Sequence, residues 1–229
     1  MIIYAKGLVD CTVNSSVDTM AYEYFEKLPA ERQELILSAG IRAFSRNAYN
    51  DISTESITRA CGISKGLLFH YFGSKKNYYL YCLEQSMLRL IGGKETLSGD
   101  SFHEIIFGSM NQKIEQCLQY KDEMHMVNMA SRDVSADVAE GKEEILGRYR
   151  TIIQLRSAQI IQKAIAKLEL KDNVNKQILA EGIQIYTNAL INRYLLQYQQ
   201  TPDLFFERSE RIKAELKDYL ELMLKGICR

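Results

Sequence analysis

The sequence predicts an all-α protein in which a compact N-terminal unit of three short helices precedes a larger helical domain, with about nine helices in all. The chain has two prolines in 229 residues. Both Pro29 and Pro202 stand where a helix can begin, so long helices are permitted between them. Apolar residues recur at helical spacing, as in Ile36, Ala39 and Phe44. No segment shows the sustained period-two alternation of a β-strand.

The composition is that of an ordinary globular protein, with 46% hydrophobic and 25% charged residues. The longest apolar stretches are only a few residues, far short of a membrane span. The five cysteines are scattered, without the short spacing of a metal site or the density of a disulfide scaffold. We therefore expect a soluble cytoplasmic protein with reduced thiols, no metal and no cofactor.

The chain divides into three segments. Residues 1–28 are expected to be a disordered leader and flank, because the first 20 residues hold one basic residue and no long apolar core. The same features exclude a secretory signal, and Met20 could begin the protein by itself. Residues 29–80 form the predicted three-helix unit, and residues 81–229 form the larger domain.

The most informative stretch runs from Ser53 to Lys75. Ser53 is suited to cap one short helix and Ser64 a second, since serine oxygens accept hydrogen bonds from the free N–H groups of a first turn. Between them, Gly62 can take the positive φ at which the first helix stops. Helix, short glycine turn and helix make a helix-turn-helix, whose second helix enters the major groove of DNA.

An alternative interpretation is a helical hairpin that only serves the core, because glycine turns and aromatic clusters are common in packing. Charge favours the DNA interpretation. The whole chain has 29 basic and 29 acidic residues, yet residues 29–80 carry a net charge of +3. Lys75 and Lys76 also open the next helix, whose free N–H groups suit a phosphate. Within this motif, Ile57 and Ala60 are expected to face the core.

A specific set of residues spans 29–80. It consists of Ile36-Leu37-Ser38-Ala39-Gly40, Phe44, Tyr49, Ile57, Ala60, Gly62-Ile63-Ser64-Lys65-Gly66, Leu68-Phe69-His70-Tyr71-Phe72 and Ser74-Lys75. This set resembles the DNA-binding domain of the tetracycline-repressor (TetR) family of bacterial transcriptional regulators. Two positions depart from the family, because Leu67 stands where threonine is frequent and Phe69 where tyrosine is frequent. Each lacks a hydroxyl for phosphate, although Leu67 could contact a thymine methyl.

The resemblance implies a recognition helix and a phosphate-contacting lysine after it, and neighbouring basic residues extend the set. The residues expected to contact DNA are Ser64, Lys65, Gly66, Leu67, Phe69, His70, Tyr71, Lys75, Lys76 and Arg59. Lys75, Tyr71 and His70 are the strongest candidates. Arg59 is a weaker one, because arginine on a protein surface is usually just solvated.

Residues 173–227 form two long amphipathic segments. The first is apolar on two faces, with Ile178 and Ile185 on one and Ile183 and Leu190 on the other, and such a helix must bury both. In the resembling family, the last two helices of each subunit pack into a four-helix dimer interface. The alternative is that both helices are wholly internal. The interface is expected at Ile178, Gly182, Ile185, Ala189, Phe205, Ile212, Leu216 and Met223.

An effector pocket is implied mainly by the resemblance. Methionine and aromatic residues gather within Phe102–Met129 and near Tyr149, and adaptable methionines suit an apolar pocket. The alternative is that this stripe is simply core. The candidate ligand contacts are Phe107, Met110, His125, Met126, Met129, Tyr149, Ile153 and Tyr186.

These patterns favour a ligand-responsive homodimeric repressor that binds a palindromic operator in double-stranded DNA and is released by a small apolar or amphipathic effector. An activator or a partner-binding protein of the same fold is the alternative, because Leu67 and Phe69 depart from the family. An enzyme is not indicated, since the three histidines occur without paired carboxylates, metal-ligand spacing or a phosphate loop. The expected location is the bacterial cytoplasm, at the nucleoid when DNA is bound.

Overall fold

The computed structural model describes residues 19–93 and 98–228, and within them the protein is helical without a β-strand. The helices are α1 (Thr19–Glu26), α2 (Ala30–Arg46), α3 (Thr54–Cys61), α4 (Lys65–Phe72), α5 (Lys75–Ile91), α6 (Phe102–Gln119), α7 (Lys121–Arg132), α8 (Ala136–Ile165), α9 (Lys176–Gln197), α10 (Asp203–Glu207) and α11 (Ser209–Leu224). One turn of 3-10 helix spans Tyr49–Asp51. The all-α prediction is confirmed. None of the described helices is long and apolar enough to cross a bilayer.

The chain folds into two compact units. The first comprises residues up to Gly92 together with Tyr120–Gly147, and the second comprises Gly93–Gln119 together with Arg148–Arg229. The first unit therefore extends beyond the boundary expected at residue 80. The physical reason is that α7 packs against both α2 and α5, so that residues distant in sequence complete its core.

The expected disorder of residues 1–28 is corrected for its last ten residues, while residues 1–18 lie outside the described part of the chain. Residues 19–26 form α1. Phe25 is only 1% exposed, and its ring lies 4.8 Å from the ring of Phe72, centroid to centroid. The contact of Phe25 with Phe72 of α4 therefore holds α1 in place.

The core of the first unit forms where α2 packs on α5. Ile36, Ala39 and Phe44 are buried, as their helical spacing predicts. Gly40 lets the ring of Tyr78 approach closely, because a Cβ at this position would lie 2.6 Å from Tyr78 Cζ. The Tyr78 hydroxyl uses this approach to donate a hydrogen bond of 2.6 Å to the carbonyl of Ile36.

The second unit is built around the buried faces of four long helices. Its core consists of Phe102, Ile105 and Ile106 from α6, Ile160, Ile161, Ala164 and Ile165 from α8, Ile183, Leu190 and Tyr194 from α9, and Ile212, Leu216, Leu220 and Leu224 from α11. These positions recur every three or four residues, so each helix contributes one continuous apolar stripe.

Candidate DNA-binding site

Two serines and a glycine fix the helix-turn-helix. The Ser53 side chain accepts a hydrogen bond from the amide of Ser56 at the start of α3, and Ser64 accepts one from the amide of Leu67 at the start of α4. Gly62 ends α3 at φ 64°, in the left-handed region that glycine adopts without strain. These caps confirm the predicted helix, turn and helix.

The buried face of α3 differs in one residue from the expectation. Ile57 is 1% exposed, as predicted, and Cys61 is 2% exposed beside it. Ala60, in contrast, is exposed. Thr58 is buried instead of Ala60. It lies three residues before Cys61 and therefore on the same side of α3.

Helix α4 has an exposed face and a buried face. Lys65, Gly66 and His70 are exposed, whereas Leu68 is fully buried. Gly66 packs against nothing that would require a glycine, since a Cβ there would meet only Ser64 Oγ at 3.9 Å. This part of α4 is therefore open to the close approach of another molecule.

The remaining predicted DNA contacts of the helix-turn-helix vary in exposure. Ser64, Arg59 and Lys76 are exposed, and Leu67 and Phe69 are half-buried. Tyr71 is corrected, because it is only 8% exposed and its ring packs on Phe25 and Phe72. Tyr71 thus belongs to the core of the first unit rather than to the exposed face of α4.

Lys65 forms an ion pair on the exposed surface. Its Nζ lies 2.6 Å from Glu55 Oε1 on α3 and 5.8 Å from the centroid of the Phe69 ring. The hydrogen bond from Lys65 lowers the pKa of the Glu55 carboxyl. The pair joins the two helices of the motif, although a salt bridge this exposed stabilises a fold only weakly.

Lys75 is the first residue of α5 and faces the single 3-10 turn. Its Nζ donates a hydrogen bond of 2.6 Å to the carbonyl of Tyr49 and lies 4.3 Å from the centroid of the Tyr49 ring. Burial lowers the pKa of Lys75, although nearby acidic residues oppose this. The lysine is half-buried and keeps part of its surface for a phosphate.

Tyr49 also connects this corner to the end of α7. Its amide N–H donates to Asp133 Oδ2 at 2.7 Å, and Asp133 Oδ1 accepts from the amide of Ser135 at 2.8 Å. Burial raises the pKa of Asp133, but the hydrogen bonds from Ser135 and Tyr49 outweigh it and hold the pKa below its usual value. A continuous series of contacts therefore leads from Asp133 through Tyr49 to Lys75.

A second connection to α7 uses Arg89 of α5. Arg89 Nη1 lies 3.1 Å from Glu34 Oε1 on α2 and 2.7 Å from Glu123 Oε1 on α7. Burial by itself would lower the pKa of Arg89, but the hydrogen bonds to the two carboxylates raise it. One guanidinium thus holds three helices of the first unit together.

The sequence model described as "Bacterial regulatory proteins, tetR family" matches residues 36–79. This stretch contains the caps, the Gly62 turn and the Lys75 corner. Over these residues the chain is similar to the DNA-binding domain of the TetR family. The matched family and the relatives below are transcriptional regulators rather than enzymes, in agreement with the class predicted from the sequence.

Similarity to bacterial HTH-type regulators extends beyond this domain. The HTH-type transcriptional regulators YuxN and YerO of Bacillus subtilis are 26% and 23% identical to this chain over 185 and 211 residues. The alignments cover 78% and 87% of this chain but 62% and 66% of the relatives, so the chain spans less than two thirds of their length. The HTH-type transcriptional repressor AcnR of Corynebacterium glutamicum is 27% identical over 82 residues, which are 36% of this chain and 42% of AcnR.

Solved structures of TetR-type regulators share the fold. A transcriptional regulator from Rhodococcus sp. Rha1 matches with a TM-score of 0.59 at 15% identity, over 85% of this chain and 96% of that one. NalD, the secondary repressor of the MexAB-OprM multidrug efflux pump in Pseudomonas aeruginosa, matches with a TM-score of 0.56 at 19% identity, over 87% of this chain and 98% of that one. At these identities the likeness concerns the fold alone.

Helix α9 has the two apolar faces predicted from the sequence. Ile183 and Leu190 are 1% and 3% exposed and belong to the core of the second unit. Ile178 and Ile185, on the other face, are 66% and 70% exposed, and Ala189 is exposed beside them. The unit therefore leaves one apolar face of α9 uncovered.

The predicted interface residues after α9 are corrected in part. Ile212 and Leu216 are 1% and 0% exposed and form the core of the second unit, so that they are not available to a partner. Phe205 and Met223 are half-buried against the same core, and Gly182 on α9 is also half-buried. A stripe at helical spacing shows that a face is covered, but not whether its own subunit or another covers it.

The candidate ligand contacts are divided between the two units. His125, Met126 and Met129 lie on α7 in the first unit. Met126 is corrected to a core residue, since it is fully buried and its Sδ accepts a hydrogen bond from Ser86 Oγ at 3.5 Å. The second unit holds Phe107, Met110, Tyr149, Ile153 and Tyr186.

Within the second unit the five candidates differ in exposure. Phe107, Met110 and Tyr186 are partly buried against its core. Tyr149 is 5% exposed, whereas Ile153 is 43% exposed. A separate open groove of the same unit, with a volume of about 470 Å³, is lined by His103, Asp218, Glu221, Leu222, Leu224, Lys225 and Cys228. It contains none of the predicted ligand contacts.

Sequence reasoning missed three residues beside the helix-turn-helix. They are Tyr24, whose ring lies 4.8 Å from the ring of His70, and the residues Asp133 and Arg89 described above. Asp133 and Tyr49 are 84 residues apart in the chain, and Arg89 and Glu123 are 34 apart. No periodicity or short motif signals such pairs. For Tyr24, the aromatic run Tyr22-Glu23-Tyr24-Phe25 was an available signal of an ordered helix.

Proposed function

We propose that this chain is a homodimeric regulator that represses transcription from a palindromic operator and leaves it when a small apolar or amphipathic effector binds. The observation that carries the proposal is the exposed face of α4. Lys65, Gly66 and His70 are exposed on this helix, which is the capped second helix of the helix-turn-helix. The repressing direction is supported by AcnR, an HTH-type transcriptional repressor that is 27% identical over 82 residues. The protein would act in the cytoplasm, at the nucleoid while bound to DNA.

In this proposal α4 enters the major groove. His70 and Lys65 present donors to base edges, and Gly66 lets the backbone of α4 approach the DNA closely. Leu67 packs on a thymine methyl. Basic side chains around the motif, among them Lys75, Lys76 and Arg59, bind phosphates, and the net charge of +3 on residues 29–80 supplies the attraction.

The proposed dimer forms through the uncovered face of α9. Ile178, Gly182, Ile185 and Ala189 follow one another at intervals of three or four residues, and Leu196, 70% exposed, extends the stripe. The small residues Gly182 and Ala189 let a second helix cross closely. A two-fold axis at this face would present two α4 helices to the two halves of a palindrome, about 34–36 Å apart or a multiple of that.

The effector would act by shifting a population between two arrangements of the recognition helices. It does so only to the extent that it binds one arrangement better than the other. In the first unit, the contacts of Asp133 with Tyr49 and of Glu123 with Arg89 tie α7 to the elements that hold Lys75 and α4. A displacement of α7 would therefore reach the DNA-binding surface. Phe107, Met110 and Tyr186 favour an apolar or amphipathic effector.

The second candidate is a TetR-like activator or partner-binding protein. Leu67 and Phe69 favour it, because neither offers a hydroxyl to phosphate and both are half-buried. The two candidates differ in the sign of the effector response, since an activator would bind its DNA more tightly with effector or recruit polymerase there.

The test uses the full chain and a randomised duplex library. Selection should enrich a palindrome, and fluorescence anisotropy should show about 10³-fold or greater preference for it over random duplex at physiological salt. Lys65→Ala should bind the palindrome more weakly than the wild-type chain. Lys217→Ala, which replaces an exposed lysine of α11, should bind it as tightly as the wild-type chain. Enrichment of no sequence would contradict the proposal. A panel of apolar and amphipathic compounds should then include one that lowers operator affinity, and tighter binding instead would favour the activator.

A further inference from the structure

Helix α1 is an addition to the helix-turn-helix, because it precedes the family match at residues 36–79. It packs directly on the recognition helix α4. Phe25 anchors it, with ring centroids 6.1 Å from Tyr71, 4.8 Å from Phe72 and 5.5 Å from Tyr81 of α5. The register of α1 on α4 is therefore fixed by a buried aromatic cluster.

One residue before this anchor, Tyr24 points to the exposed end of α4. Its ring lies 4.8 Å from the imidazole of His70, centroid to centroid, with an angle of 38° between the planes. The ring of Tyr71 lies 5.8 Å from the same imidazole, centroid to centroid. Tyr24 itself is 55% exposed, so it is not a core residue whose position packing alone explains.

An ion pair at the end of α1 also lies beside the Tyr24 ring. Lys27 Nζ, just after the helix, lies 5.8 Å from the centroid of Tyr24 and forms an ion pair of 3.0 Å with Glu23 Oε1. Both charged side chains are largely exposed, so each contact is weak by itself.

The orientation of the imidazole matters for reading bases. The outer torsion of histidine is broad and roughly two-fold, so that neighbours rather than intrinsic preference set the direction of its two nitrogens. In the neutral ring one nitrogen donates and the other accepts, and a rotated ring presents a different pattern to a base pair. An imidazole packed against neighbouring rings is held in one orientation and presents one pattern.

We propose that Tyr24 is a positioning residue that sets the base preference of the DNA-binding surface by holding the imidazole of His70 against α4. The inference rests on the proposed function, in which α4 is the recognition helix. Helix α1 lies outside the family match, and the inference gives it a role in base specificity as well as in stability.

The test compares tyrosines of the same helix. Tyr24→Leu removes the ring that touches His70, and Tyr24→Phe keeps the ring without its hydroxyl. Tyr22→Leu is the matched control, because the Tyr22 ring packs on Phe72 and Tyr81 instead. Each variant is measured against the duplex selected by the wild-type chain, a set of single-base substitutions of that duplex, and random duplex.

Tyr24→Leu should reduce the discrimination between the selected duplex and its substitutions by about threefold to tenfold, at the base pairs that His70→Ala also affects. Its affinity for random duplex should stay within about twofold of the wild-type value. Tyr24→Phe and Tyr22→Leu should keep the wild-type discrimination. In a His70→Ala background, Tyr24→Leu should have no further effect, because the two residues act as one unit.

A second measurement needs no DNA. The ring of Tyr24 is close enough to shift the imidazole proton resonances of His70, which the spectrum of His70→Ala identifies. Tyr24→Leu should move these resonances and Tyr22→Leu should leave them in place. Unmoved resonances in a folded Tyr24→Leu chain would overturn the contact on which the inference depends.

Three binding results would overturn the inference while the proposed function stands. They are unchanged discrimination in Tyr24→Leu, equal weakening on every duplex, which would make Tyr24 a phosphate contact, and the same loss in Tyr22→Leu, which would assign the effect to the stability of α1. A wild-type chain without any base preference would instead refute the proposed function, and the inference with it.

Discussion

The uncovered face of α9 gives a prediction whose magnitude follows from exposure. Complete burial of an isoleucine side chain stabilises by about 1.5–3 kcal/mol. Ile185 is 70% exposed, so a partner that covers the rest would gain about 1–2 kcal/mol from it. A two-fold interface buries the residue once on each chain. Replacement of Ile185 by alanine, which keeps a small part of this apolar surface, should therefore weaken dimerisation by about 1.5–3 kcal/mol.

Such a loss corresponds to a rise of about 10- to 100-fold in the dimer Kd. Sedimentation equilibrium over a series of protein concentrations measures this Kd directly. Leu155→Ala is the matched control, since Leu155 is a similarly exposed (62%) aliphatic residue on α8, away from the proposed face. If Leu155→Ala weakened the dimer while Ile185→Ala left its Kd unchanged, the interface would lie elsewhere and the reasoning from α9 would be refuted.

Three further predictions concern the first unit. Lys75→Ala should weaken binding to all duplexes alike and reduce the slope of log affinity against log salt by about one, and an unchanged slope would leave Lys75 with a structural role only. Gly40→Ala should destabilise the fold by about 1–3 kcal/mol in urea unfolding, because its Cβ would collide with a buried tyrosine ring, whereas Gly108→Ala, which meets nothing within 4 Å, should be tolerated. The lowered pKa of Asp133 gives stability that is present above its ordinary value of 3.8 and is lost as the pH falls through the lowered value. Asp133→Asn should therefore be less stable at neutral pH and lose less stability than the wild-type chain as the pH falls, as measured by urea unfolding. Asp218→Asn, an exposed control on α11, should keep the wild-type pH dependence.

Local features of the helix-turn-helix could be predicted from the sequence because their causes are local. Ser53 and Ser64 cap helices through amides three residues later, and Gly62 supplies a conformation that few other residues adopt without strain. The spacing of these residues therefore carries nearly all the information needed. The two faces of α9 were predictable for the same reason, since helical periodicity repeats within a few turns.

Partners distant in the chain could not be predicted in this way. Ile212 and Ile185 have the same apolar character and similar surroundings in sequence, yet one is in the core and the other is exposed. Tyr71 likewise follows an exposed histidine but turns inward, because α1 places Phe25 against it. The difference lies in which helix arrives at each face, and that depends on the packing of the whole unit rather than on any window of sequence.

The place of α7 in the first unit has a consequence for the exchange of DNA-binding heads between relatives. A chimera joined after residue 80 would keep the recognition helix but discard Asp133, the acceptor for the Tyr49 amide, together with Arg89, the partner of Glu34 on α2. The Tyr49 amide and the Glu34 carboxylate would then face whatever the foreign chain supplied. Because residues 93–119 interrupt the unit in the chain, a head can be transplanted intact only through three junctions, after Gly92, before Tyr120 and after Gly147, with α6 left to the recipient.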